Sequence, residues 1–273
     1  MGTIVITGAS DGIGAASARQ LKANGHQVII VGRSSSKTEA VARELGVPYH
    51  VADYAKLADV RKLAADLSAY ERIDVLANNA GGIMGDRQVT EDGFEKTFQV
   101  NHLAPFLLTK LLLKQLIASR AKVIQTASAA ANVFGGRFDI TDLNHERAYR
   151  PDLAYGDGKL ANILFTRELH RRHHQDGIRA VAFHPGVVRT NFASDTTHFM
   201  RLAFQSPLKY LFTITAERSG RRLTALAEGK PGIDWQPGEV YDGRKPMRVK
   251  LDDRDGRIAR ELWERSEAML APR

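Results

Sequence analysis

Residues 154–159 read AYGDGK and lead into the apolar-periodic run LANILFTREL. Lys159 follows Tyr155 by four positions, which places both side chains on one face of a helix. A free phenol ionises near pH ~10, too high for ready proton exchange at neutrality. A cation within ~4–6 Å favours the phenolate and lowers that value. The pair therefore suits general acid and base work on an oxygen centre. Gly156 and Gly158 each cost a helix roughly 1 kcal/mol relative to alanine. Glycine permits close approach of backbone to a ligand, so this turn is expected to lie against something bound. Alone, a Tyr-x-x-x-Lys pair is more commonly an ordinary helix-surface pair, and only its surroundings give it a role.

Those surroundings are strands and helices in alternation. TIVIT (3–7), QVIIV (27–31), PYHV (48–51), IDVLA (73–77), AKVIQT (121–126) and IRAVAF (178–183) read as strands. Most lack polar alternation, as strands buried on both faces do. Helices are expected near 13–23, 37–45, 55–70, 90–117, 153–175, 216–228 and 255–270, with Asn24-Gly25 and Asp176-Gly177 marking helix ends. This alternation implies an α/β fold with a parallel sheet covered on both faces. No linker, repeat or low-complexity stretch divides the chain, so residues 1–273 are expected to form a single domain with an excursion at about 191–215.

TGASDGIG (7–14) follows the first strand and opens the first helix. Gly8, Gly12 and Gly14 allow a tight turn, and the helix N-terminus offers free N–H groups to a pyrophosphate. The spacing is G-x-x-x-G-x-G rather than G-x-G-x-x-G, and Asp11 works slightly against a bound phosphate. The second strand ends VGRSSS, with no acid to take a ribose 2′-hydroxyl. Arg33, followed by Ser34, would accommodate a 2′-phosphate instead. The expected cofactor is NADP(H) in preference to NAD(H). The other reading of Arg33 is a side chain stacked on adenine. Asp53, after the third strand, is placed to meet the adenine edge or to cap the next helix.

With TGASDGIG at 7–14, NNAG at 78–81, Asn101, Ser128 and YGDGK at 155–159, the sequence resembles the short-chain dehydrogenase/reductase family from residue 3 to about 270. AYGDGKLANILFTREL, the long Ser128–Tyr155 spacing with FDITDLN inserted, and ELWERSEAML resemble the retinol dehydrogenase-like branch. The resemblance implies a Rossmann fold with a doubly wound, seven-stranded parallel sheet and helices on both faces. It implies a nicotinamide cofactor and a catalytic set of Asn101, Ser128, Tyr155 and Lys159. The implied cofactor-binding set also includes Ser10, Ile13, Tyr54, Asn79, Ala80, Gly81, Tyr155 and Lys159. From HPGVVRT (184–190) it adds Pro185, Gly186, Val188 and Thr190, the last near the nicotinamide carboxamide. The expected chemistry is hydride transfer between nicotinamide and a carbonyl/alcohol pair. Ser128 would hydrogen-bond the carbonyl oxygen and stabilise its developing charge. The alternative is a non-catalytic dinucleotide-binding redox sensor.

Asn101 sits four residues before Pro105, which has no N–H to give the carbonyl at i−4. That carbonyl is therefore expected to bind a water linking Lys159 to solvent, or to mark a simple kink. Segment 191–214 is the most aromatic in the chain, with Phe192, Phe199, Met200, Phe204, Tyr210 and Phe212. It reads as a lid over a small lipophilic aldehyde, ketone or alcohol, or else as an ordinary apolar helical hairpin. There is no cysteine, and His, Asp and Glu show no metal-ligand spacing. The formal net charge of +8 is spread over clusters interleaved with acids and apolar residues, without the aromatic-basic pattern of a nucleic-acid surface. No apolar run reaches the ~18 residues of a membrane span, and with a strand read from residue 3 no secretory leader is expected. The expectation is a cytoplasmic protein that acts without nucleic acid, with a homodimer as its candidate assembly.

Overall fold

The computed structural model describes residues 1–134, 138–186, 214–253 and 256–271. One sheet runs through it in the order β3-β2-β1-β4-β5-β6-β7-β8. Its strands are β1 Thr3–Thr7, β2 Gln27–Gly32, β3 Tyr49–Val51, β4 Val75–Asn78, β5 Lys122–Thr126, β6 Arg179–His184, β7 Val240–Asp242 and β8 Lys245–Pro246. Neighbours pair in parallel as far as β7. The expected count of seven strands is corrected to eight. Residues 243–244 turn the chain back after β7, and β8 adds a two-residue antiparallel edge. A strand that short carries no sequence periodicity.

The helices are α1 Gly12–Ala23, α2 Ser35–Leu45, α3 Leu57–Ser68, α4 Lys96–Phe98, α5 Ala104–Leu111, α6 Leu113–Ala118, α7 Ala130–Val133, α8 Pro151–His173, α9 Ala216–Glu228 and α10 Arg257–Leu270. They divide between the two faces, each with its own buried core. On one side α1 and α9 press Leu21, Leu223 and Leu226 against Ile4, Ile6 and Val181. A Cβ at Gly220 would fall 2.9 Å from both Ala16 Cβ and Ser17 N, so α9 approaches α1 to backbone contact. On the other side α3, α5, α8 and α10 enclose Val5, Leu76 and Val123 with Phe106, Phe165 and Trp263.

The long helix expected over 90–117 begins at Lys96, after Glu95 turns its carboxylate onto the amides of Thr97 and Phe98. Residues 99–103 then form a π turn, in which the Ala104 N–H reaches back to the Gln99 carbonyl. A π turn pairs residues five apart, so the missing N–H of Pro105 no longer falls opposite Asn101.

The C-terminal helix α10 covers the apolar face of α8. His102, expected to pack rather than catalyse, is 1% exposed and lies among the rings of Phe98, Phe106 and Phe165. Its Nε2 is 2.9 Å from Ser266 Oγ of α10, and burial holds the ring neutral by pushing its pKa down to about 3. Among the described residues no helix is long and apolar enough to cross a membrane.

Candidate active site

The order β3-β2-β1-β4 reverses direction between β1 and β4, and such a switch point opens a crevice at the carboxyl ends of the strands. The described catalytic and cofactor candidates fall on the loops after the strands' carboxyl ends or on the helices that pack over that edge. Thr7, closing β1, organises the crevice. Its Oγ1 accepts the N–H groups of Asn79 and Ala80 at 3.0 Å each and donates to Ala77 O at 3.3 Å. Asn79 returns the contact, donating through Nδ2 to the carbonyls of Thr7 (3.0 Å) and Gly8 (3.2 Å) while its Oδ1 accepts from Thr126 Oγ1 at 3.2 Å. The ends of β1, β4 and β5 are thereby tied together.

The glycine loop is wound against this knot. Gly8 has φ +64° and Gly12 φ +56°, a left-handed backbone that glycine adopts at least cost. A Cβ at Gly14 would lie 2.4 Å from Gly8 O and 2.8 Å from Asn79 Nδ2. The loop can hold the first turn of α1 this close only with hydrogen at that position. Asp11 turns its carboxylate onto the N–H of Gly12 at 2.7 Å. Ser10 packs under β2, where a Cβ at Gly32 would meet Ser10 Cβ at 2.8 Å, and Ile13 sits half-buried in the first turn of α1. A glycine-bounded loop opening a twelve-residue helix suits a pyrophosphate.

At the tip of β2, Arg33 is exposed, and Ser34 caps α2 by accepting the Lys37 N–H at 3.5 Å. No carboxylate stands at that strand end. Asp53 does not cap α3. Its Oδ1 accepts the N–H of Ala55 at 3.0 Å, and its own N–H goes to Asp59. Tyr54 is buried, and burial pushes its phenol above the ordinary range.

The four residues of the expected catalytic set converge from three elements. Ser128 follows β5 and its hydroxyl is hydrogen-bonded to Tyr155 near the start of α8. Ser128 Oγ also accepts the Ala130 N–H at 3.1 Å. Lys159 is 2% exposed, with Nζ donating to the Thr126 carbonyl at 3.1 Å and lying 5.6 Å from the centre of the Tyr155 ring. Asn101, wholly buried in the π turn, grips the backbone after β4. Its Oδ1 accepts the Gly82 N–H at 3.1 Å, and Nδ2 donates to the carbonyls of Gly82 and Thr97 at 2.8 Å each. A Cβ at Gly81 would meet Asn101 Oδ1 at 2.6 Å and Lys159 Nζ at 2.9 Å, so the NNAG glycine leaves the space into which both groups point.

Two expectations about this helix need correction. The Tyr155 phenol does not lie below its ordinary range. Burial drives it above the ordinary range, only partly relieved by Ser128. Burial also drives Lys159 down to about 7, so the amine is itself only half charged at neutrality. Gly158 faces the π turn rather than a ligand: a Cβ there would sit 3.2 Å from Asn101 Cβ. The glycine sets how closely α8 packs on the segment that carries Asn101.

Stability should follow the burial of Lys159. Between pH 7 and its ordinary pKa of 10.5 the unfolded chain holds a proton that the folded chain has released. Unfolding free energy therefore rises with pH across that window, by at most ~1.4 kcal/mol per unit. Below about 7 the contribution is a constant cost. Lys159→Met should remove this slope and raise stability at neutral pH by on the order of 1–3 kcal/mol. Urea unfolding of both proteins from pH 6 to 10 measures it, and parallel curves would show that the amine is not desolvated.

The inserted segment 138–150 is bound down beside the site. The Arg87 guanidinium donates to the carbonyls of Asn144 and His145, Asn144 Oδ1 accepts the Glu95 N–H, and Tyr149 donates to Gly85 O. Asp157 on α8 meets this segment, 3.7 Å from His145 Nε2, and burial with Asp139 nearby pushes its carboxyl up to about 7. After β6, Pro185 is buried and Gly186 has φ +88°. Val188, Thr190 and the expected lid residues Phe192, Phe199, Met200, Phe204, Tyr210 and Phe212 lie outside the described residues, as does nearly all of 191–215.

Sequence reasoning gave no role to the side chains of Thr7 and Thr126, and took His184 only as the first residue of HPGVVRT. Each is a polar residue closing a largely buried strand (TIVIT, KVIQT, RAVAFH). That is a usable signal, because a polar group so placed must find a partner.

Residues 2–201 match the sequence profile described as short chain dehydrogenase. Human retinol dehydrogenase 13 is 37% identical over 98% of this chain and 84% of its own length. A Streptomyces sp. (strain C5) protein provisionally named as a daunorubicin C-13 ketoreductase is 39% identical over 98% of this chain and 92% of its own. Among solved structures, an uncharacterised protein of Mycobacterium paratuberculosis is 33% identical and superposes with a TM-score of 0.78, covering 98% of this chain and 93% of that one. The Rossmann-like fold, the motif order and these relatives agree, and the chain belongs to the short-chain dehydrogenase family.

Proposed function

We propose that this protein is an NADP(H)-dependent oxidoreductase interconverting a lipophilic aldehyde or ketone and its alcohol. The observation that carries the reading is the convergence of Ser128, Tyr155 and Lys159 beside the crevice formed by the glycine loop and the NNAG segment. When bound, a nicotinamide dinucleotide supplies or accepts the hydride. Gly8 to Gly14 and the amides of α1 would hold its pyrophosphate, Arg33 with Ser34 its 2′-phosphate, Asp53 and Tyr54 its adenine side, and Asn79 to Gly81 with Pro185 and Gly186 its nicotinamide half.

In reduction, Tyr155 gives its proton to the carbonyl oxygen and is the general acid; in oxidation it takes the proton back. Ser128 holds that oxygen and stabilises the charge developing on it. Lys159, as its ammonium, lowers the cost of the phenolate. Because burial alone leaves Tyr155 high and Lys159 near neutrality, the site favours a protonated phenol. That is the form needed for reduction, the direction carried in the name of the ketoreductase relative. Asn101 acts as a brace for the loop after β4. Ile83 and Met84, buried just after the NNAG segment, would offer a lipophilic substrate an apolar wall. A homodimer through the outer face of α8 would have to displace α10.

The test is spectrophotometric: NADPH and NADH oxidation with a panel of straight-chain and aromatic aldehydes and ketones. NADPH is expected to be preferred. Arg33→Ala should raise KM for NADPH roughly 10- to 100-fold, the worth of a charge-assisted contact, while leaving NADH unchanged. Preference for NADH, or equal losses with both dinucleotides, would refute the assignment of Arg33. No turnover of any carbonyl or alcohol, with dinucleotide binding intact, would leave the sensor reading.

A further inference from the structure

We propose that His184, the last residue of β6, is a positioning residue for Ser128, holding the turn that carries it through a neutral imidazole. The inference rests on the reading of Ser128 as an active-site hydroxyl. The β5–β6 ladder runs from Lys122↔Arg179 to Thr126↔Phe183, and the Ala127 N–H still finds the Phe183 carbonyl at 2.9 Å. Beyond that the ladder stops, because the Pro185 carbonyl, next in register, accepts from Ser219 Oγ at 2.7 Å. The next amide but one, Ala129 N–H, turns instead to a side chain and donates to His184 Nδ1 at 3.2 Å. Its neighbour Ser128 is thus held on one side by the ladder at Ala127 and on the other by this imidazole.

An amide can only donate, so the contact requires a lone pair on Nδ1 and places the ring proton on Nε2. A protonated ring would present two N–H groups and break it. The surroundings favour the neutral ring. His184 is largely buried, and its own carbonyl accepts from Arg222 of α9 at 2.9 Å. Burial, with Arg222 beside it, holds the imidazole below its ordinary range against the opposing pull of Asp242 on β7. Arg222 in turn is paired to Asp242 at 2.7 Å. On α8, Tyr155 and Lys159 reach the other side of the same turn, at Ser128 and at the Thr126 carbonyl.

The contact is separable from the ring's bulk. Asparagine at 184 can offer its amide oxygen near the place of Nδ1, whereas leucine offers nothing. In His184→Leu, protection of the Ala129 amide against hydrogen exchange, read by NMR without added dinucleotide, should fall by roughly tenfold or more. The kcat for NADPH-dependent carbonyl reduction should fall roughly 10- to 100-fold, because a displaced Ser128 no longer meets the carbonyl oxygen. KM for NADPH should stay within about threefold. His184→Asn should restore both protection and kcat. The natural protein is expected to lose activity on an acid limb below the ordinary histidine range, and His184→Asn should abolish it, since asparagine does not titrate. Undiminished Ala129 protection in His184→Leu, an asparagine variant no better than leucine, or an acid limb that persists in His184→Asn would each overturn the proposal. If the leucine variant does not fold, the comparison of natural and asparagine proteins across pH decides alone. If no carbonyl is turned over by any of them, the oxidoreductase reading falls, while Ala129 exchange still decides whether His184 holds the turn.

Discussion

Tyr155→Phe is expected to lower kcat/KM for carbonyl reduction by roughly 10³-fold while leaving the affinity for NADPH within about a factor of three. General acid catalysis by a positioned side chain contributes 10²- to 10⁴-fold, and the variant deletes only the oxygen that carries the proton. The fold should survive, because the phenol is buried with a hydrogen bond to Ser128 as its polar tie, and a phenylalanine ring fills nearly the same volume. Steady-state kinetics with a reactive aldehyde, beside fluorescence titration of NADPH, separates the two quantities. Turnover equal to the natural protein's would remove Tyr155 from the mechanism. Equal losses of binding and turnover would instead make it a cofactor contact.

Trp263→Ala should destabilise the protein by roughly 3–5 kcal/mol, the range for emptying an aromatic site in a core. Trp263 is 2% exposed and holds α10 onto the sheet's helical layer. Its ring stacks on Phe165 of α8 at 5.7 Å and meets Phe106 of α5 edge-on at 5.0 Å. Arg172 and Lys110 lie over it at 4.8 and 5.1 Å, contacts that add to burial alone. Because α8 also carries Tyr155 and Lys159, a loosened α10 is felt at the site through the helix it braces. Chemical denaturation reads the loss, with turnover per folded molecule measured well below the midpoint. A change under 1 kcal/mol would mean that α10 is an appendage and that the face of α8 beneath it is stable without cover.

The parts of this protein legible in its sequence are those governed by short-range rules. Six strands, five of them buried and β3 an exposed edge, are visible as short apolar runs, and the observed ends lie within a residue or two of the expected ones. Helix α9 coincides with the limits expected for it, 216–228, between a capping Thr215 and Gly229. The segment 90–117 was read as one helix, because local periodicity does not register that Glu95 closes a turn or that Pro105 shifts the ladder into a π register. The eighth strand was too short to leave any pattern.

The residue types and their order along the chain thus determined the α/β class, the glycine loop at the first strand, and which side chains could carry a proton or face a dinucleotide. Only the tertiary structure decided how those groups behave. Asn101 braces Gly82, Gly158 makes room for Asn101, α10 seals α8, and His184 takes up an amide that the ladder abandons. Each of these contacts joins residues far apart in sequence, so no local window contains both partners. The same holds for the charge state of Lys159: its spacing from Tyr155 is written in five letters, but its burial comes from elements spread along the whole chain, and burial is what moves its proton.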